Sequence, residues 1–180
     1  MIELMIVVAI IAVLAVVAVT TFAKMKRRAM RSEVASVLGA ISLRQEAFRA
    51  EFSAYMTCSG PAPALATGSG VEPQKKNLNP KPQCWTDLGL STDPALYCAY
   101  TIYGGAATQW TLTKPLGSGH DNGSAGDLPS TDYAAFGGNP PSTAWYLARA
   151  ECDFDSDPTV NSVFYRTHAS SGLGEVNPDR

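Results

Sequence analysis

Four cysteines, two histidines and three alternating aspartates are the residues of this 180-residue chain whose types and spacing could do chemistry. Cys58, Cys84, Cys98 and Cys152 contain no C-x-x-C pair, and His120 and His168 are not near them in sequence. Zinc coordination is therefore not expected. An even cysteine count in a loop-rich segment predicts two disulfides instead. Three connectivities are open. The spacing favours Cys84 with Cys98, which closes a short loop, and Cys58 with Cys152, which ties a helix end to the last hairpin. Each crosslink would stabilise the fold by about 2–4 kcal/mol.

Asp153, Asp155 and Asp157 alternate as at the start of a calcium loop. An EF-hand is excluded, because Pro158 stands where that loop needs glycine and Phe164 where it needs glutamate. The competing reading is a solvated acidic turn whose carboxylates cap backbone amides. Catalytic signatures are missing. There is no Gly-x-Ser-x-Gly elbow, no glycine-rich phosphate loop and no haem-attachment Cys-x-x-Cys-His. Neither histidine has a visible nucleophile partner, so a non-enzyme is expected. The net charge of −2 argues against a general nucleic-acid binder.

The elements that position these residues divide the chain into unlike pieces. Residues 1–56 contain no proline and one glycine, Gly39, whereas residues 57–180 hold all 12 prolines. A long helix followed by a punctuated, β-containing head is expected. Within the first piece, residues 4–23 are uncharged, and 20 residues of helix span roughly 30 Å, the thickness of a bilayer core. A membrane helix is expected over 1–23, with Leu4, Ile10, Leu14 and Val19 among its apolar residues. A cleavable signal peptide is disfavoured, because the run is too long and no basic stretch precedes it.

Glu3 stands at the edge of this run, where an unpaired carboxylate is costly. It either lies among headgroups or pairs with a cation from another chain, the nearest being the α-amino group of an identical neighbour. Lys24, Lys26, Arg27, Arg28 and Arg31 follow the run. They suit headgroup contact, and without a second basic face or interleaved aromatics they do not suit nucleic acid. By charge alone they would lie in the cytoplasm, whereas the cysteines favour a head outside it.

Across residues 24–56 the pattern becomes amphipathic. Val34, Val37, Leu38, Ile41, Phe48, Phe52 and Tyr55 form one stripe, which predicts a helix unbroken to about Tyr55. Beyond it, residues 59–82 read as an extended loop. Strands are expected at 97–103, 109–113, 144–150 and 160–168, with a turn at Asp157-Pro158. The fold class is α+β, with a long N-terminal helix whose stripe is covered by a small antiparallel sheet of about four strands.

The opening residues Met1-Ile2-Glu3-Leu4-Met5-Ile6-Val7-Val8-Ala9-Ile10-Ile11 resemble the start of a mature type IV pilin or pseudopilin. That family carries Gly-Phe-Thr-Leu-Ile-Glu-Leu-Met-Ile-Val-Val-Ala-Ile-Ile at its processing site. The resemblance covers residues 1 to about 55, and 145–176 is similar to the closing hairpin of many pilins. It implies the pilin fold and a structural subunit of a filament serving adhesion, motility or DNA uptake. The alternative is a pseudopilin of a type II secretion system. The implied partners are further copies of the chain, minor pilins, the inner-membrane assembly machinery and a prepilin peptidase that also methylates the new terminus. The implied location is the inner membrane, then an extracellular or periplasmic filament, with the head outside the cytoplasm.

Glu3, with Ile2, Leu4 and Met5 beside it, would direct assembly by neutralising the terminus of an adjacent subunit. The family's leader, cleavage glycine and two following residues would precede Met1, and a basic leader would reconcile the two topology signals. Thr20 and Ala12 stand where many pilins have proline and glycine, so a continuous helix is expected here. No cofactor is implied for a pilin. Calcium at Asp153, Asp155 and Asp157 would accompany the pseudopilin alternative.

Overall fold

The computed structural model describes residues 2–62, 75–78, 81–90, 95–112, 130–154 and 162–176. It leaves aside the side chains of residues 2, 19, 20, 23, 59–62, 130, 131 and 171. The chain divides into two compact units, Met1–Glu33 and Val34–Arg180. One helix, α1 (Ile2–Phe52), runs through the division point. No proline or glycine interrupts it before Gly39, and its uncharged first half consists of residues that tolerate helical backbone.

The helix ends three residues before the expected limit. Ser53 takes φ 56°, and its N–H donates to the Arg49 carbonyl at 2.8 Å. This is the left-handed closure that satisfies an orphan carbonyl of the last turn. Tyr55 therefore belongs to the segment that leaves the helix, although it is fully buried. Phe52 is 42% exposed and stands outside the core. The rest of the expected stripe, Val34, Val37, Leu38, Ile41 and Phe48, is buried.

In the second unit five strands form one antiparallel sheet. They are β1 (Cys58–Ala62), β4 (Ala99–Gly105), β5 (Trp145–Cys152), β6 (Ser162–Thr167) and β7 (Ser170–Val176), in the order β1-β4-β5-β6-β7. A two-stranded ribbon joins β2 (Lys76–Asn77) to β3 (Ala95–Leu96). A short helix, α2 (Gln83–Asp87), lies between them in sequence and buries Cys84 and Trp85. The general α+β class holds, with the expected strands at 97–103, 144–150 and 160–168 appearing as β4, β5 and β6 within shifted limits. The expected strand at 109–113 is reduced to a bridge between Gly105 and Leu112. β1 falls partly in the stretch read as loop, and β7 was not expected. Both are edge strands rich in small residues, so side-chain alternation does not mark them.

β5 is buried at nearly every position, so both faces of the sheet are covered. On one face Tyr146 of β5 shares a 2.6 Å hydrogen bond with Ser42 of α1. The Arg166 guanidinium of β6 lies 3.6 Å from where a Cβ on Gly39 would sit. On the other face Trp145 and Leu147 are covered by Trp110, Leu112, Tyr133, Ala135 and Phe136. The last three come from a 3-10 helix, Ser130–Phe136. Trp110 stacks on Tyr133 with ring centroids 4.3 Å apart, and the Trp145 indole N–H donates to the Gln109 carbonyl at 2.9 Å. Gly105 and Gly174 sit opposite Trp145 and Tyr165, and the aromatic rings occupy the space that a side chain at either glycine would fill. Ring-over-glycine pairing recovers apolar contact that glycine alone does not make.

Candidate functional site

The first unit concentrates apolar surface rather than a cavity. Leu4, Met5, Ile10, Leu14 and Phe22 are exposed by 71%, 74%, 55%, 63% and 72%. Large apolar residues lie on all sides of this half of the helix, because their sequence has no polar face for 20 positions. A contiguous apolar surface of this kind marks an interaction site. Glu3 is exposed in the first helical turn, where a carboxylate opposes the positive end of the helix dipole. The structure thus keeps Glu3, Leu4 and Met5 on one continuous element. The side chains of Ile2 and Val19 lie outside the described residues.

Among the described residues no helix is long and apolar enough to cross a membrane. The expectation of a spanning helix over 1–23 is corrected accordingly.

In the second unit all four cysteines are oxidised, and none is free. The pairing differs from the expected one. Cys58 joins Cys84 with Cα atoms 5.6 Å apart, and Cys98 joins Cys152 at 4.5 Å. The reason is strand register. Ala99 pairs with Glu151 across β4 and β5, which brings Cys98 opposite Cys152 one step further on. Sequence proximity had favoured Cys84 with Cys98, but it carries no information about register. Cys58, opening β1, is left to meet Cys84 on α2.

Asp153 is described, whereas Asp155, Asp157 and His120 lie outside the described residues. Among the described residues no cluster of three His, Cys, Asp or Glu side chains could hold a metal ion.

Two polar arrangements were not foreseen from sequence. Around the helix end, the Tyr55 hydroxyl donates to Glu46 at 2.9 Å and accepts from Arg49 at 3.0 Å. Burial, followed by the Glu46 hydrogen bond, pushes its pKa up to about 12. His168 packs near the rings of Tyr55, Phe136 and Tyr146, and burial lowers its pKa. The sequence shows only a histidine after a strand, and the aromatic surroundings come from three separate segments.

The second arrangement lies on the sheet face away from α1. Asp132 of the 3-10 helix, only 9% exposed, approaches Arg149 of β5, with Oδ1 3.6 Å from Nε. Glu151 is 3.6 Å from the other side of the same guanidinium. Burial raises the Asp132 pKa, with Arg149 opposing the shift and Glu151 adding to it. The Tyr103 hydroxyl, also shifted up by burial, hydrogen-bonds with Arg149. A cavity of about 170 Å³ adjoins this group, lined by Asp132, Arg149 and the apolar parts of Leu147, Val163, Tyr165 and Val176. Alternation along β5 could have marked Arg149 as facing away from Tyr146, but nothing in sequence placed Asp132 beside it. Comparison with family models, curated proteins and solved structures finds no significant match.

Proposed function

We propose that this chain is a structural subunit that polymerises through the first half of α1, as type IV pilins do. The observation that carries this reading is the apolar surface of that half. Thirteen large apolar side chains between Leu4 and Met25 are exposed by 52–74%. Burying one such side chain is worth about 1.5–3 kcal/mol, so a bundle of these helices supplies a large driving force for association. Glu3 then sets register. A carboxylate inside an apolar bundle requires a cation, and pairing it selects one alignment of neighbours more than it adds stability.

The resemblance at residues 1–55 supports the pilin fold and the wider pathway of prepilin processing, minor pilins and an assembly machine. The head would face the outside of the cell or the periplasm, and its two disulfides suit an oxidising compartment. No catalytic role is assigned to any residue.

Glu3→Ala is the direct test. The variant is expected to accumulate and fold its head normally but to reduce filament yield at least tenfold by electron microscopy of sheared material. Filaments at the normal yield would refute the role of Glu3. A chain that forms no filaments in any form, with its first-half helix intact, would refute the polymer reading itself.

A further inference from the structure

The two edges of the five-stranded sheet are unlike. β1 carries Pro61, which lacks the N–H that a further strand would take. Its register against β4 shifts between Cys58 and Ala62, and the Cys58–Cys84 disulfide ties its first residue to α2. Proline and irregular register are devices that close a sheet edge. β7 is the opposite edge, and among the described residues no strand lies beyond it. Its seven residues include neither proline nor lysine. Its own register shift lies toward the turn, and from Gly174 to Val176 it pairs residue by residue with β6. Outside α1, the only large apolar side chains exposed among the described residues are Leu173 and Val176 of this strand, at 42% and 44%. Alternation sends them to opposite faces of the sheet, so apolar surface flanks the outer backbone of β7 on both sides. Such an edge is a template for strand addition.

The sequence of β7 is complementary to itself. In an antiparallel pair of two copies centred on Leu173, Gly172 falls opposite Gly174, Ser171 opposite Glu175 and Ser170 opposite Val176. The whole strand is then paired, and Leu173 meets Leu173. Glu175 faces a serine rather than a second carboxylate, and like charges directly opposite would be destabilising. Val176 lies across from Ser170 and diagonal to Gly172, small residues that leave it room. Because Pro61 blocks β1, a strand added at β7 cannot be followed by another at the far edge, so the association closes at two copies. We propose that β7 is a docking edge for the β7 strand of a second copy of this chain, the two sheets joining antiparallel through a two-fold axis at Leu173. The contact is independent of the filament reading, because β7 lies in the head. In a filament of the kind proposed above, successive subunits point the same way, so this two-fold contact joins copies on neighbouring filaments.

The test is photo-crosslinking of the full chain in detergent micelles, with its disulfides intact. Ser170, exposed at the start of β7, is replaced by p-benzoylphenylalanine. Chains labelled with ¹⁴N and ¹⁵N are mixed, irradiated and mapped by mass spectrometry. Mixed-isotope products joining position 170 to residues 174–176 of another copy are expected. In the same background Leu173→Lys, which sets like charges opposite each other, is expected to lower the yield of that product at least tenfold. Glu175→Gln is expected to leave it within twofold. Products within a single chain, meaning that the chain covers its own edge, would overturn the proposal. So would products on β1 of another copy, or no product between chains. Products on α1 of another copy would overturn it while leaving the filament reading standing. An unchanged yield from Leu173→Lys, or a tenfold loss from Glu175→Gln, would refute the register. The mapped products of the parent chain decide the matter even if a further variant does not fold.

Discussion

The side-chain amide of Gln45 and the backbone of Met56 clasp each other. The Gln45 Nε2 donates to the Met56 carbonyl at 2.7 Å, and the Met56 N–H donates to Gln45 Oε1 at 3.0 Å. Both residues are almost completely buried. The pair returns the chain against α1 just after the helix closes at Ser53, and so sets where β1 begins. Gln45→Ala would leave two buried backbone groups unmet, each costing about 1–3 kcal/mol. The head is expected to lose about 3 kcal/mol, read as a lower urea midpoint at unchanged slope. A loss under about 1 kcal/mol would show that the clasp does not hold this segment.

Disulfide connectivity separates two arrangements of the head. Peptide mapping without reduction is expected to recover Cys58 with Cys84 and Cys98 with Cys152. Recovery of Cys84 with Cys98 would contradict the β4–β5 register. Replacing both Cys98 and Cys152 by alanine frees a loop of 54 residues. The loop-closure relation gives about 4 kcal/mol for that length, and thermal unfolding measures it.

Gly104 leaves no room for a side chain. A Cβ there would stand 2.7 Å from the Tyr55 carbonyl oxygen, and the Gly104 N–H donates to the Thr57 hydroxyl at 3.0 Å. β4 therefore lies directly against the segment leaving the helix. Gly104→Ala is expected to cost about 2 kcal/mol, as overpacking of a filled core does. Calorimetry of the variant tests this, and unchanged stability would mean that the two segments are not in contact.

His168 links stability to pH. Burial lowers its pKa, while Glu46 opposes the shift and Arg49 adds to it. Above the ordinary histidine value of about 6.5, both folded and unfolded chains carry the neutral ring, and stability does not change through this group. As pH falls below that value, the unfolded chain binds the proton first, so stability falls until the folded ring also titrates. Asp132, whose pKa is raised, has the opposite sign at lower pH. The comparison with His168→Gln isolates the histidine. The native chain is expected to lose stability between pH 7 and 5 relative to the variant, and parallel profiles would refute the linkage.

Much of the architecture was legible in residues 1–56. A run without proline and with one glycine permits little but helix, and the spacing of Val34, Val37, Leu38, Ile41 and Phe48 already marks the buried face. The exposed apolar half with Glu3 was equally visible, because an all-round apolar sequence has no face to bury locally. β5 and β6 were found by their aromatic and β-branched residues. β1 and β7 were missed, since small residues and glycine at sheet edges give no alternation to read.

By itself, then, the sequence determined which segment of this protein is helical, which stretch must seek apolar partners, and that its cysteines would pair. Only the tertiary structure decided how they pair, because a disulfide follows strand register and register is a relation between distant segments. The same holds for the meeting of Asp132 with Arg149 and of Gln45 with Met56. Periodicity is local and survives in one dimension, whereas cross-strand opposition and the closure of the helix at Ser53 depend on three-dimensional packing.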